Sequence, residues 1–397
     1  MATTWGGWIP QRRSARHHRA LPQGNIMRLR IAATAAACVF AMAMAAGPAV
    51  AHPGSHPGGQ NGHHHPSPVT QVASQLISPL KVAFGPRGSY LVAEAFAGQL
   101  TSISAKGVKT TVVSAPGQEI AGVSYSNGTT YYFNNDQGAG PEPGAELLPA
   151  RLMSIDHRGH TRQIADLSVF EAAHNPDGKT VYGVRNAAPA CLAQAPYLQS
   201  TGELFSHPYS SAPANGGVYV GDAGSNSILF VSARGKVKLV KAVPAEPITI
   251  DASVVAAAAA MGMMVPDCML GLKYYAQAVP TDITLNGQWL YYTVLPGAPG
   301  EDLGVGKAYR VNLHSGRTQL VAQGLAAPTG IAVDRNNHVY VAQLMGAGVS
   351  IIKNGRATTV LPAMMAADVA VSGHTLAAVT NALDEVNGGK LVTMGIR

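Results

Sequence analysis

A chain of 397 residues with 28 Lys and Arg against 21 Asp and Glu carries a formal charge of +7, yet only 12% of its residues are charged. Six of the basic residues are arginines within 1–51, a stretch with no acid, so the rest of the chain has 22 basic against 21 acidic residues, about +1. The basicity belongs to the leader, and no later run interleaves Lys and Arg with aromatics. A nucleic-acid surface is excluded.

In chain order, residues 27–51 show a basic start (Arg28, Arg30), an apolar core and a small-residue exit at Ala49-Val50-Ala51. This pattern predicts a secretory signal peptide cleaved after Ala51, with its core too short to span a membrane. Met27 competes with Met1 as the start. Three regions are expected: 1–51, leader and signal peptide; 52–69, a disordered His/Pro/Gly-rich segment; and 70–397, one β-propeller domain. The segment His52–Pro68 carries five histidines without apolar period, which suits loose transition-metal affinity rather than a defined site. Cys38 lies in the signal core, in a context unlike a lipidation site. Cys191 and Cys268 remain, and in an oxidising compartment one disulfide is the default, with two separate buried thiols as the alternative.

From residue 70 the chain repeats. "SPLKVAFGPRGSYLVAEAFAGQLTSISAKGVKTTVVS" (Ser78–Ser114) holds four short apolar runs broken by turn residues. The plan recurs from Ile120, Asn215, Val279 and Pro328, and a sixth copy, Ala366–Ile396, offers only three strands. Six units of four antiparallel strands predict an all-β, six-bladed β-propeller. "TQVASQLIS" (Thr70–Ser78) is the expected donor of the missing strand, so that an N-terminal strand closes the ring and covers two edges.

The motifs "GPRGSYLVAEA", "PTGIAVDRNNHVYVAQ" and "VYVGDAGSNSILFV", with "ADLSVFEAAHNPDG" between blades, resemble the ScyD/ScyE family of secreted proteins, related to NHL-type and streptogramin-lyase-type repeats. The resemblance covers residues 70–396. It implies a six-bladed propeller and no settled biochemical activity. The Ala-rich insertion at 251–277, the cysteine pair and the expanded loop at 184–206 depart from the family pattern.

In a propeller the turns "GPRG", "DRNN", "AKG" and "KNG" share one face, and the insertions at 137–149, 166–206, 251–277 and 295–305 share the other. Loops on a rigid scaffold carry binding, so the insertion-bearing face is the expected functional face. Residues ending the second strands would ring its mouth: Glu94, Asn135, Asp222, Thr293 or Val294, Gln343 and Asn381, with Asp282 and Asp368 near the same opening. Glu94, Asn135, Asp222, Asp282 and Gln343 are the expected ligand-binding residues. The first four form a metal set suited to a calcium-type divalent ion, and capping of strand ends is the competing role. His174 ends a short helical pattern before "NPDG" and is expected to be structural. No local His-x-His or matching Glu–His pair in the late blades supports lyase chemistry.

The leading expectation is a secreted, monomeric, non-catalytic binding module that takes a small molecule, glycan or protein at its loop-rich face. The alternative is a metal-dependent hydrolase, lactonase or lyase at the channel mouth. A nucleic-acid partner and a transmembrane span are not expected.

Overall fold

The computed structural model describes residues 68–136 and 147–396. The expected leader and signal peptide, almost all of the histidine-rich segment, and residues 137–146 of the first insertion lie outside the described residues.

Strand β1 (Val69–Leu76) is followed by β2 to β5 (Pro79–Phe84, Tyr90–Glu94, Gln99–Ile103, Lys109–Ser114), an antiparallel sheet in sequence order. The plan returns in β6 to β9 (Gln118–Ser126, Thr129–Asp136, Ala150–Ile155, Thr161–Asp166). Helix α1 (Leu167–His174), β10 (Val181–Val184), helix α2 (Pro189–Leu192) and β11 (Gln199–Thr201) then intervene. The third repeat is β12 to β15 (Pro208–Ala214, Gly217–Asp222, Ser227–Ser232, Val237–Ala242). After it come β16 (Glu246–Thr249), helix α3 (Ala252–Ala260) and β17 (Lys273–Ala276). Repeats four and five are β18 to β21 (Ala278–Asn286, Trp289–Pro296, Gly306–Asn312, Thr318–Leu325) and β22 to β25 (Pro328–Val333, Val339–Gln343, Gly348–Lys353, Arg356–Pro362). The last contributes only β26 to β28 (Asp368–Ser372, Thr375–Thr380, Gly389–Gly395), and β1 supplies its fourth strand, with Val69 opposite Met394 and Leu76 opposite Gly389.

Each repeat runs from apolar to polar along its strands. In β3 (YLVAE) and β23 (VYVAQ) every residue is buried, whereas β5 (KTTVVS) and β25 (RATTVLP) are mostly exposed. A strand buried on both faces loses the alternating pattern, so the second strands lie within the fold and the fourth at its rim. The turns follow their chemistry. In "DRNN" the Asp334 carboxylate accepts from the amides of Asn336 and His338, both at 2.8 Å, and Asn337 takes a left-handed φ of 64°. At "FAGQ", Gly98 has φ 60°, and a Cβ there would fall 2.2 Å from the Ala115 carbonyl oxygen, so the turn requires glycine. First strands adjoin one another: β2 lies against β6 and β26, β12 against β6 and β18, and β22 against β18 and β26. Val82, Val92, Ile103, Phe133 and Val220 fill the core between sheets.

The described residues hold seven four-stranded sheets, one more than the repeat predicts. The extra sheet, in the order β11-β10-β17-β16, unites the segments before and after the third repeat. The Ala-rich insertion begins as a helix, with Asp251 capping the amides of Ser253 and Val254 at 2.9 and 3.1 Å, but it ends in strand β17. Strands of three or four residues show no period, which is why this sheet is silent in the sequence. Cys191 and Cys268 form a disulfide with Cα atoms 6.0 Å apart, over a core of Val184, Ile248, Ile250, Val254 and Met269. No helix among the described residues is long and apolar enough to cross a membrane.

Candidate functional site

The side chains expected to ring a mouth have other bonds. Glu94 accepts from the Ile77 amide at 2.7 Å and from the Thr101 hydroxyl at 2.5 Å. Gln343 accepts from the Ala326 amide at 2.9 Å and donates to Ser350 at 3.0 Å. Asp222 accepts from the His207 amide at 2.8 Å and the Ser206 hydroxyl at 2.6 Å, with the amides of Gly224 and Ser225 also on it. In all three the end of a second strand grips the backbone just ahead of its own first strand. Asn135 donates to Glu119 at 3.0 Å and to the Pro208 carbonyl at 3.2 Å, bridging two repeats. Thr293 meets Thr281, and Asn381 donates to Asp384.

Asp282 is placed differently. It faces Lys81, a lysine third in β2 that is only 2% exposed. The Lys81 ammonium donates to the carbonyls of Thr329 and Thr281 at 2.7 and 2.9 Å. It pairs with Asp282 at 3.1 Å and Asp368 at 3.8 Å, and lies 4.9 Å from the centre of the Tyr209 ring. Each aspartate also holds a neighbouring strand: Asp282 accepts from the Ile331 amide at 2.6 Å and Asp368 from the Val82 amide at 2.8 Å. Burial raises both carboxyls above their ordinary range; Lys81 opposes this, and the charge of Asp282 pushes Asp368 further up. One cation thus gathers oxygens from the fourth, fifth and sixth repeats. Sequence alternation gives no warning of it, because its partners lie 200 or more residues away.

A well of about 290 Å³ runs from Lys81, Asp282 and Asp368 along the first strands to Phe84, Tyr125, Val333 and Ser372, toward the short turns. Near Tyr209, with ring centres 6.0 Å apart, His207 belongs to a second pair that the sequence did not disclose. His207 Nε2 meets Glu119 Oε2 at 2.5 Å, and both are buried. Burial alone would lift Glu119, but the His207 charge and hydrogen bond, helped by Asn135, hold it below its usual value. Burial alone would lower His207, but Glu119 raises it. Both shifts favour the ionised form of the pair. His174, by contrast, contacts the Phe170 carbonyl through Nδ1 at 3.0 Å and stacks on the Phe170 ring, a local helix-end role.

Next to this pair, carboxyls accumulate where α1 meets the third repeat. Burial, with the charges of Asp222 and Asp177 behind it, pushes Glu171 up to about 9. Burial and Asp177 push Glu203 up to about 7, and Asp177 and Asp222 are themselves raised, chiefly by burial. The sequence marked "FEAAHNPDG" as a helix and its stop, a reading that hides Glu171 and Asp177 in plain view. Among the described residues no three His, Cys, Asp or Glu side chains are placed to hold a metal ion together.

No family model matches the chain, and no curated protein matches it. Solved structures do. The chain is similar to a Thermus thermophilus structure described as an oxidoreductase (glucose dehydrogenase), at 14% identity and a TM-score of 0.50, covering 83% of this chain and 99% of that one. A gluconolactonase from Xanthomonas campestris shares 11% identity at a TM-score of 0.49, covering 83% and 89%. A virginiamycin B lyase from Staphylococcus aureus shares 14% at 0.40, covering 78% and 80%. At such identity the likeness to the Thermus structure speaks for the fold alone, that of a β-propeller, and the activity must be argued from the site.

Proposed function

We propose that the chain is an exported six-bladed propeller of the ScyD/ScyE type that serves as a binding module at its loop-rich face. In this reading six repeats form the ring, β1 completes the last blade, and the disulfide-linked seventh sheet is an appendage that enlarges the binding face. Its ligand is a small molecule, a glycan or a protein. The observation that carries it is the commitment of the polar ring. Glu94, Gln343 and Asp222 are spent on backbone amides, and Asp282 is spent on Lys81. A calcium-type ion at Glu94, Asn135, Asp222 and Asp282 would have to displace these bonds, and the residues do not fit it without rearrangement. The ring then acts as a set of staples that hold the mouth rigid for recognition by the loops around it.

The second reading, a hydrolase, lactonase or lyase, draws on one observation, the Glu119–His207 pair beside the axis. An imidazolium held by a carboxylate is a form of general acid, although burial keeps this one from bulk substrate. An assay of lactone and cyclic-ester opening, with and without added calcium, manganese or zinc, separates the two. The binding module gives no turnover above buffer. Turnover abolished by His207→Gln or Glu119→Gln would replace it with the enzyme.

A further inference from the structure

The junction of α1 with the third repeat holds several oxygens that nothing in the protein satisfies. Glu171 is 1% exposed, and neither of its carboxyl oxygens has a hydrogen-bond partner; the Phe205 amide is near enough to draw the carboxyl down against the larger effect of burial. Asp177 spends one oxygen on the Tyr182 hydroxyl at 2.8 Å and the Asn226 amide nitrogen at 2.9 Å, and its other oxygen is buried without a partner. The carboxamide oxygens of Asn226 and Asn175 are likewise unpartnered, though both nitrogens of these side chains are engaged. Buried acceptors left open in this way are costly and uncommon, and here they gather in one neighbourhood drawn from three segments of chain.

One further feature suits a ligand rather than a packing fault. Every open atom is an oxygen, and the set mixes carboxyl with carboxamide, the donor chemistry of a hard cation. Gly202 packs closely on Asp177, where a Cβ would stand 2.2 Å from the free carboxyl oxygen and 2.4 Å from the backbone oxygen, so the chain can pass there only as glycine. The nearby Asp222 is saturated by its four donors and adds charge rather than a ligand. No three acidic or histidine side chains share a point among the described residues, so the amide oxygens are essential to the site.

We infer that this junction binds a calcium-type divalent cation through the carboxyl oxygens of Glu171 and Asp177 and the carboxamide oxygens of Asn175 and Asn226. The site uses none of the residues that ring the mouth and none that hold Lys81. Its ion would fasten α1 and the loop after it to the turn between β13 and β14, setting the floor of the expanded loops on the binding face. Neither the binding-module reading nor its enzymatic alternative is needed for it.

Terbium, a luminescent stand-in for calcium, tests the site on the full chain, with Tyr182 as the neighbouring sensitiser. Excitation of tyrosine should give saturable terbium emission at one ion per chain, displaced by calcium and poorly by magnesium, and calcium should raise the melting temperature. Glu171→Gln, which keeps the shape of the side chain, should weaken the ion roughly tenfold or more and abolish the calcium shift. Should that variant fail to fold, the wild-type stoichiometry and calcium shift decide. Absence of saturable emission, an unchanged melting temperature in calcium, or emission equal in wild type and a folded Glu171→Gln would overturn the proposal.

Discussion

Removing the Lys81 amine while keeping much of its stem, as in Lys81→Met, would leave Asp282 and Asp368 buried without their cation, and two threonine carbonyls without their donor. Breaking a buried pair in this way costs about 3–5 kcal/mol, because the remaining charge cannot reach water. Chemical denaturation at neutral pH should show a loss of that size; a variant as stable as wild type would mean the axis is wet. The Glu119–His207 pair makes a second prediction at this scale. His207 is raised above about 6.5, so its contribution is full below that value and is lost as pH climbs through its folded pKa. Glu119 is lowered, so its contribution is present above about 4.5 and is lost as pH falls through its folded value. The pair therefore stabilises between these limits, and His207→Gln should flatten the alkaline side of a stability–pH profile. An identical alkaline slope in the variant would show the pair to be uncharged. These groups were hard to read beforehand. Lys81 in "LKVAF" and Glu119 in "GQEIAG" look like ordinary polar positions in a strand, and only folding brings their partners from other repeats. Glu94, Asp222 and Gln343 were visible because each recurs at the same place in its repeat.

At the scale of the element, the seventh sheet depends on its cross-link. Its strands have three or four residues, and a disulfide spanning 77 residues restricts the unfolded chain by about 4 kcal/mol in the chain-entropy model. The Cys191→Ser, Cys268→Ser double variant should lose hydrogen-exchange protection in β10, β11, β16 and β17 while β2 to β5 keep theirs. Equal loss in both sheets would mean that the appendage and the repeats unfold as one unit. The helices show what local sequence can say. Asp166 and Asp251 cap α1 and α3 as their chemistry requires, and the helical pattern of α1 was legible in the sequence. The extra sheet was not, because its central pair, β10 with β17, crosses the whole third repeat and none of its strands is long enough to carry a pattern.

At the scale of the molecule, the repeat was the most legible feature, since four apolar runs per unit survive even where loops intervene. The pairing of β1 with β28 followed from counting strands in the last unit. Deleting residues 69–76 should expose the edge of β28 and drive association between copies, read as an increase in mass by light scattering. A deletion that stays monomeric and equally stable would show that β1 covers nothing of consequence. The insertions are less legible than the scaffold, because loops obey no period.

The central claim is that Glu94, Asn135, Asp222 and Asp282 staple the scaffold and hold no ion. Metal content of the purified protein lacking residues 52–67, compared with the same protein carrying Glu94→Ala, tests it directly. The account predicts that whatever ion is present, including one at Glu171 and Asp177, is retained in full by the variant. A stoichiometric ion in the parent that disappears with Glu94→Ala would contradict it.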